Sequence, residues 1–365
     1  MAAQTARHTS AISLYGLLHK SIRDADFETL EEIVASDVSL LWTCNSIGWT
    51  ALHFSASHGL GTIARWKWLI GLAAQDGKGS LLYLKLTDAG DSPVAHFFLR
   101  ELDPLPWQRP EVKQEANRRR ECIEKALEDE DMLESVRQGL RQNSSLPTKE
   151  TRPVRDAESV ILDFLCRLQL LLHAAVGKCT QNGGWSLLHA LALTGCPRVV
   201  AELAIKLYPA QLATKDAQGN LPLHIAASSS SPQSHHILVS LVQKLPDSCS
   251  QTDSTGHLPL HLALASGKTC GVVDCLWKAF PLYGAPRDAG SNLPAFLIAA
   301  VGNNFTRRHK AFQIAARRDM WRFLPHNSQQ RALDHARAEV EVEELTTVYA
   351  VLRASPDAIS CILSS

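Results

Sequence analysis

The sequence predicts an all-α helix-turn-helix solenoid, and two observations predict it. The first is repetition in a fixed frame: Pro209, Pro246 and Pro281 each precede Asp216, Asp253 and Asp288 by seven residues, and eight residues further on stand His224, His261 and Phe296. The second is the repeated text itself. Asp216-Ala-Gln-Gly-Asn-Leu-Pro-Leu-His-Ile-Ala-Ala is followed in register by Asp253-Ser-Thr-Gly-His-Leu-Pro-Leu-His-Leu-Ala-Leu and by Asp288-Ala-Gly-Ser-Asn-Leu-Pro-Ala-Phe-Leu-Ile-Ala. A period of 35 to 37 residues marks supersecondary units that bury their apolar faces only by stacking on neighbours.

Each part of the repeat has a local cause. Asp at the head with Gly three residues later suits a tight turn, because the carboxylate bonds its own backbone and Gly accepts the conformation that follows. Pro222 and Pro259 then fit a first helical position, where the missing N–H costs little. The Leu-x-Ile-Ala-Ala face forms a first helix. Second helices are expected over 199–208, 237–245 and 271–280, each closed by a proline, with apolar residues three and four apart.

The frame extends upstream. Gly184-Trp-Ser-Leu-Leu-His189 and Gly48-Trp-Thr-Ala-Leu-His53 are nearly the same text. Leu17-Leu18-His19 lies 34 residues before His53 and opens a short helical pair through Phe27, Leu30, Ile33 and Val34, the expected N-terminal cap. Asp88 to His96 keeps the separation of eight with Gly and Pro one place early, and reads as a degenerate repeat.

This text resembles the ankyrin repeat, whose consensus carries Gly-x-Thr-Pro-Leu-His-x-Ala at the start of the first helix. The resemblance covers most of the chain and implies about seven repeats, two of them interrupted by insertions. It implies that the Thr caps the helix and bonds the His, and that the His ties adjacent loops. Thr50 keeps that role and Ser92 and Ser186 can imitate it; Leu221, Leu258 and Leu293 cannot, which removes a cap worth about 1 kcal/mol. It also implies a concave protein-binding surface, whose turn-tip candidates are Trp49, Trp185, Lys215, Gln218, Asn220, Thr255, His257, Arg287 and Asn292. For the two tryptophans, packing between adjacent turns is the alternative.

Two insertions divide the array. Residues 107–142 carry Val112, Ala116, Ile123, Leu127, Leu133, Val136 and Leu140 at helical spacing, with Glu115/Arg119 and Glu121/Lys125 four apart, and predict an amphipathic helix. The polar stretch 143–155 predicts a loop, followed by a second helix over 160–172. The other insertion, 305–343, precedes a last helix over 345–353. In 306–324, Phe312, Ala315, Ala316, Met320 and Phe323 fall on one side of a helix and Arg307, Arg308, Lys310, Arg317, Arg318 and Arg322 on the other. The expected segments are 1–99 (repeats with cap), 100–157 (charged insertion), 158–302 (repeats) and 303–365 (second insertion with capping helix).

Composition narrows the chemistry. Over 365 residues, 37 Lys and Arg balance 37 Asp and Glu, so no whole-chain field selects nucleic acid or an anionic membrane. Nine cysteines without CxxC pairing read as reduced thiols in a reducing compartment. No secretory leader is evident, and the apolar stretch 160–176 is interrupted by Asp163 and Arg167. A cytoplasmic monomer is expected, with a nuclear location left open.

Candidate catalytic groups do not converge. His53, His189, His224 and His261 occur once per repeat, which strings them along an axis instead of around a metal ion. Ser266-Gly-Lys-Thr269 ends like a phosphate loop, but Leu262 stands where the first Gly is required and no strand precedes it. Cys270 and Cys275 lack a partner base, and 228–236 with His235 and His236 reads as an exposed loop. The expectation is a non-catalytic scaffold or adaptor without metal or cofactor, gripping an unidentified protein. The rivals are a regulator held to an anionic membrane or acidic partner by 306–324, a nucleic-acid contact through Arg118-Arg119-Arg120, and, last, an enzyme whose site is hidden in the fold.

Overall fold

The computed structural model describes residues 14, 16–24, 26–45, 48–59, 63–75, 92–104, 108–142, 156–176, 186–229, 231, 233–280 and the isolated positions 298, 334, 336, 338, 339, 342 and 345–348. Every regular element among them is helical. The chain forms two compact units, one of residues 1–87 with 91–178 and one of residues 88–90 with 179–365.

In the first unit, α1 covers 16–24 and α2 spans Phe27–Ser36. Asp26 starts α2 by accepting the Thr29 N–H at 3.2 Å and its hydroxyl at 2.6 Å. Leu30, Ile33 and Val34 are buried as their spacing predicts, each stabilising by roughly 1.5–3 kcal/mol before side-chain entropy is charged against it. A short 3₁₀ turn, Val38–Trp42, leads on to α3 (Ala51–His58), α4 (Ile63–Gln75) and α5 (Pro93–Glu101). Helix α3 packs against α5.

The first insertion differs from expectation. A single helix over 107–142 is replaced by two, α6 (Pro110–Glu128) and α7 (Glu130–Gln142). Asp129 separates them: its backbone is extended, with φ −110° and ψ 105°, and its Oδ1 accepts the N–H groups of Asp131 and Met132, both at 3.1 Å. An aspartate that caps the following helix outcompetes continuation of the one before it. The next helix, α8 (Ala157–Val176), is longer than the predicted 160–172 and packs on α4, α6 and α7. Gly139 allows the close approach of α7, since a β-carbon there would lie 2.8 Å from Leu162 Cδ1. Phe97 on α5 stacks on Phe164 of α8, ring centroids 5.8 Å apart.

The second unit contains α9 (Leu187–Thr194), α10 (Arg198–Leu207), α11 (Pro222–Ser228), α12 (Ser234–Lys244), α13 (Pro259–Ala265) and α14 (Cys270–Ala279). Pro222 and Pro259 open their helices. First helices pack in succession, α9 on α11 and α11 on α13, and second helices do likewise, α10 on α12 and α12 on α14. Pro209 and Pro246 do not merely end the second helices; each opens a 3₁₀ turn, Pro209–Ala213 and Pro246–Ser250, that carries the chain to the next tip. The loop 143–155, the repeat from Asp288 to Phe296 with its Leu293, the tips Trp185, Arg287 and Asn292, and the basic segment 306–324 lie outside the described residues.

Candidate interaction surface

The tips are built by one carboxylate each. Asp216 Oδ1 accepts the N–H of Gln218 at 2.9 Å and of Asn220 at 2.7 Å, while the Asp216 N–H donates to Asn220 O at 2.8 Å. Asp253 repeats the pattern with Thr255 N at 2.8 Å and His257 N at 2.9 Å, and its own N–H donates to His257 O at 3.1 Å. Burial works to raise the Asp253 carboxyl, but the bonds from Thr255 and His257 outweigh it and hold the group below its ordinary value. Gly219 and Gly256 take φ of 75° and 84°, a region that a side chain would strain. The Ser254 N–H donates to Gln218 O at 3.3 Å, so the two neighbouring tips are laced together.

The repeated histidines are spent on this lacing. In α9, His189 Nδ1 accepts the Ser186 N–H at 3.4 Å and lies 2.8 Å from Ser186 Oγ. With Nδ1 as acceptor the proton sits on Nε2, which donates to Asn220 O of the next tip at 3.0 Å. His224 does the same, taking Leu221 N–H at 3.1 Å and giving to Gln251 O at 3.0 Å. Leu221 therefore loses only the hydroxyl of the cap; the imidazole still satisfies the backbone donor. Burial lowers both histidines below their ordinary value, against the opposing pull of Asn220 and Asp216 on His189 and of Asp253, Gln251 and His257 on His224.

A second set of ties joins the far ends of the same hairpins. Ser229 Oγ donates to Leu193 O at 2.7 Å, Ser231 Oγ to Thr194 O at 2.9 Å, and Ser266 Oγ to Ala227 O at 2.5 Å. Ser229 and Ser234 are buried, so the segment after α11 is packed at these positions and not the exposed loop expected. Lys268 Nζ donates to Ser229 O at 2.6 Å and to Ser234 Oγ. The lysine of the phosphate-loop look-alike is thus an internal strut. Burial raises the thiols of Cys166, Cys196, Cys249 and Cys275, Cys249 to about 12, which disfavours nucleophilic thiolates at these positions. Cys270 and Cys275 are half-buried. Among the described residues no group of three or more His, Cys, Asp or Glu is placed to hold a metal ion, and no helix is long and apolar enough to cross a membrane.

Of the tip candidates, Lys215, Gln218 and Thr255 are exposed, and Asn220 and His257 are half-buried. His257 Nδ1 stands 3.4 Å from Asp253 Oδ2. In the first unit Asn45 makes the equivalent tip: its Oδ1 accepts Trp49 N–H at 2.9 Å and its N–H donates to Trp49 O at 3.0 Å. Asn45 was missed from the sequence, although Asn45 precedes Thr50 by the same five residues that separate Asp216 from Leu221. Trp49 is half-buried, its ring 5.0 Å from Phe54 and 4.3 Å from His96, so it packs against the next hairpin.

The degenerate repeat is registered by Ser92 and not by its histidine. Ser92 Oγ caps α5 by accepting Ala95 N–H at 3.2 Å, which puts Ala95 where α3 carries His53 and puts His96 where α3 carries Phe54. His53 Nδ1 accepts the Thr50 N–H at 3.1 Å and lies 2.8 Å from Thr50 Oγ1. His96, 4% exposed, has no hydrogen-bond partner at either ring nitrogen among the described residues; burial, with His53 and His58 nearby, pushes it down to about 3.

At the end of α5, Glu101 is 1% exposed and meets three arginines. Arg119 Nη1 of α6 is 2.7 Å from Glu101 Oε2, Arg167 Nη1 of α8 is 3.5 Å from Oε1, and Arg100 pairs with the same Oε1. Arg119 also donates to Glu101 O at 3.2 Å and to Glu115 at 3.1 Å, and Arg167 pairs with Asp163. Burial alone would raise Glu101, but Arg119, Arg167 and Arg100 hold it below its ordinary value. This hub pins the inserted α6 to the hairpin it interrupts. The motif reading did not find it, because a lone Glu-Arg pair 18 residues apart has no sequence signature.

Comparison of the sequence with family models and with curated proteins finds no match.

Proposed function

We propose that this chain is a non-catalytic scaffold assembled from about seven ankyrin-type hairpins, two of them interrupted, that grips a protein partner through its turn tips and the first-helix faces beside them. The observation that carries the reading is the double use of His189 and His224. Each imidazole satisfies its own helix cap and the carbonyl chain of the next tip. Such bonds fix the tips rigidly while leaving Lys215, Gln218 and Thr255 in solvent. A rigid, exposed row of varied side chains costs little entropy to immobilise on binding, which is what an interaction surface requires. The same bonds withdraw the imidazoles from acid-base work, since their lone pairs and protons are committed to backbone.

Affinity capture tests this, comparing the intact protein with a variant carrying Lys215→Ala, Gln218→Ala and Thr255→Ala. The expected result is loss of the partners that the intact protein recovers. Recovery of the same proteins at the same yield would remove the tips as the recognition surface.

A further inference from the structure

Four basic groups from four elements of the first unit, His58, Arg100, Arg109 and Arg23, gather at the C-terminal end of α3, and among the described residues their bonds run only to near neighbours in sequence, none of them tying one hairpin to the next. His58 is the last residue of α3 and is only partly covered; its ring stacks on Phe54 at 5.9 Å, and its Nδ1 lies 3.1 Å from Phe54 O. Arg100 of α5 lies directly over Gly59, where a β-carbon would be 2.5 Å from the guanidinium carbon. Gln108 donates to Ser57 O at 3.2 Å, which brings Arg109, the N-cap of α6, to the same helix end. His19 of α1 meets Phe54 edge-on at 3.8 Å, and Arg23 stands one turn further along α1.

A helix C-terminus carries about half a negative charge, so a single cation would satisfy it. Three arginines exceed that need. Arg23 is paired with Asp24 at 3.2 Å but both are solvent-exposed, and such a pair is worth little. Arg100 shares Glu101 with Arg119 and Arg167. Arg109 makes no ion pair among the described residues. Beside these cations lies the half-buried ring of Phe54, one turn before His58, with His19 edge-on to it.

We infer that the C-terminal end of α3 is a docking site for an acidic segment of a protein partner, its carboxylates held by Arg23, Arg100 and Arg109 and its apolar side chains laid on Phe54. This rests on the protein-binding reading above and specifies the partner's chemistry. Positive charge facing partly apolar rings selects such a segment over a basic or purely apolar one. His58 supplies a reporter. Burial lowers it, the bond to Phe54 O opposes that, and Arg100, Arg23 and Arg109 lower it further. The groups acting on it or titrating beside it are Arg23 and His19 on α1, Arg100 and His96 on α5, and Arg109 at the start of α6. Carboxylates arriving there raise the His58 pKa in the complex, so binding takes up a proton and strengthens as pH falls through the bound-state value.

The test is fluorescence anisotropy of the full chain with a fluorescein-labelled peptide of glutamate carrying leucine at every fourth position, and with its lysine counterpart. The acidic peptide is expected to bind, and the double variant Arg23→Gln, Arg109→Gln to weaken it about tenfold with a shallower salt dependence, at unchanged melting temperature. The intact chain should bind more tightly at pH 6.0 than at pH 7.5, and His58→Gln should abolish that difference. Equal affinity in the double variant, or equal binding of the lysine peptide, overturns the proposal; a pH response undiminished in His58→Gln overturns the part given to His58. None of these residues is in the tip variant, so a failed peptide experiment with a successful capture experiment rejects the acidic segment and leaves the scaffold standing.

Discussion

The two units use the same helix-start text for different ends. In the second, His189 and His224 reach across to the next tip, and Ser229, Ser231 and Ser266 reach back to the preceding helix end, so both ends of each hairpin are joined by neutral hydrogen bonds to backbone. In the first, α5 carries Ala95 at the imidazole position, and cohesion passes to rings and charges: Trp49 against His96, Phe97 against Phe164, and Glu101 among three arginines. The difference teaches what an insertion demands. A regular hairpin needs only its periodic bonds, whereas one that must hold the extra helices α6 and α7 needs a specific anchor between elements distant in sequence.

The largest effect is expected at that anchor. Glu101→Ala leaves Arg119 and Arg167 buried without their shared carboxylate and should destabilise the first unit by about 3–5 kcal/mol, with Glu101→Gln intermediate; urea denaturation followed by circular dichroism measures both. Because Glu101 is depressed below the ordinary 4.5, its contribution is present above that pH and is lost as pH falls through its lower folded value.

Next comes the tip carboxylate. Asp216→Ala leaves the N–H groups of Gln218 and Asn220 without their acceptor and should cost the second unit about 1–3 kcal/mol in the same assay, more than removing any exposed tip side chain.

A sharper contrast lies in two histidines. His224→Phe removes an imidazole that makes two backbone bonds and should cost about 2 kcal/mol, while His96→Phe replaces one that makes none by the residue that α3 carries there and should be neutral or stabilising within about 1 kcal/mol. Equal losses at the two sites would erase the distinction between the units. His189 and His224 also predict a pH effect. Both are lowered, so the unfolded chain binds protons first, and the second unit should lose stability as pH falls below about 6.5, measurable as a falling melting temperature. The smallest change is Ser186→Ala, which deletes a cap hydroxyl that Leu221 never had and should cost about 1 kcal/mol or less.

Sequence periodicity exposed most helices of the second unit to within a few residues, because Pro222, Pro259 and the three-and-four spacing act locally. It also identified Asp216 and Asp253 as turn builders, since a carboxylate bonding N–H groups two and four residues ahead is a short-range event. It failed where spacing imitated register. Asp88 and His96 keep the right separation, yet Ser92 sets the helix start and shifts His96 off the tying position. The serine ties escaped notice because a hydroxyl bonding a carbonyl 36 to 39 residues away carries no local mark.

What the sequence by itself determined is the set of local choices: where helices start, which face is apolar, and which residue folds each tip. Propensity and capping act over four or five residues, and those are printed in the text. What only the tertiary structure decided is which donors meet which acceptors between hairpins, that Glu101 is ringed by Arg100, Arg119 and Arg167, and that Arg23, Arg100, Arg109 and His58 share one helix end. Those meetings depend on how helices approach one another, and packing geometry is a property of the assembled units that no single stretch of chain encodes.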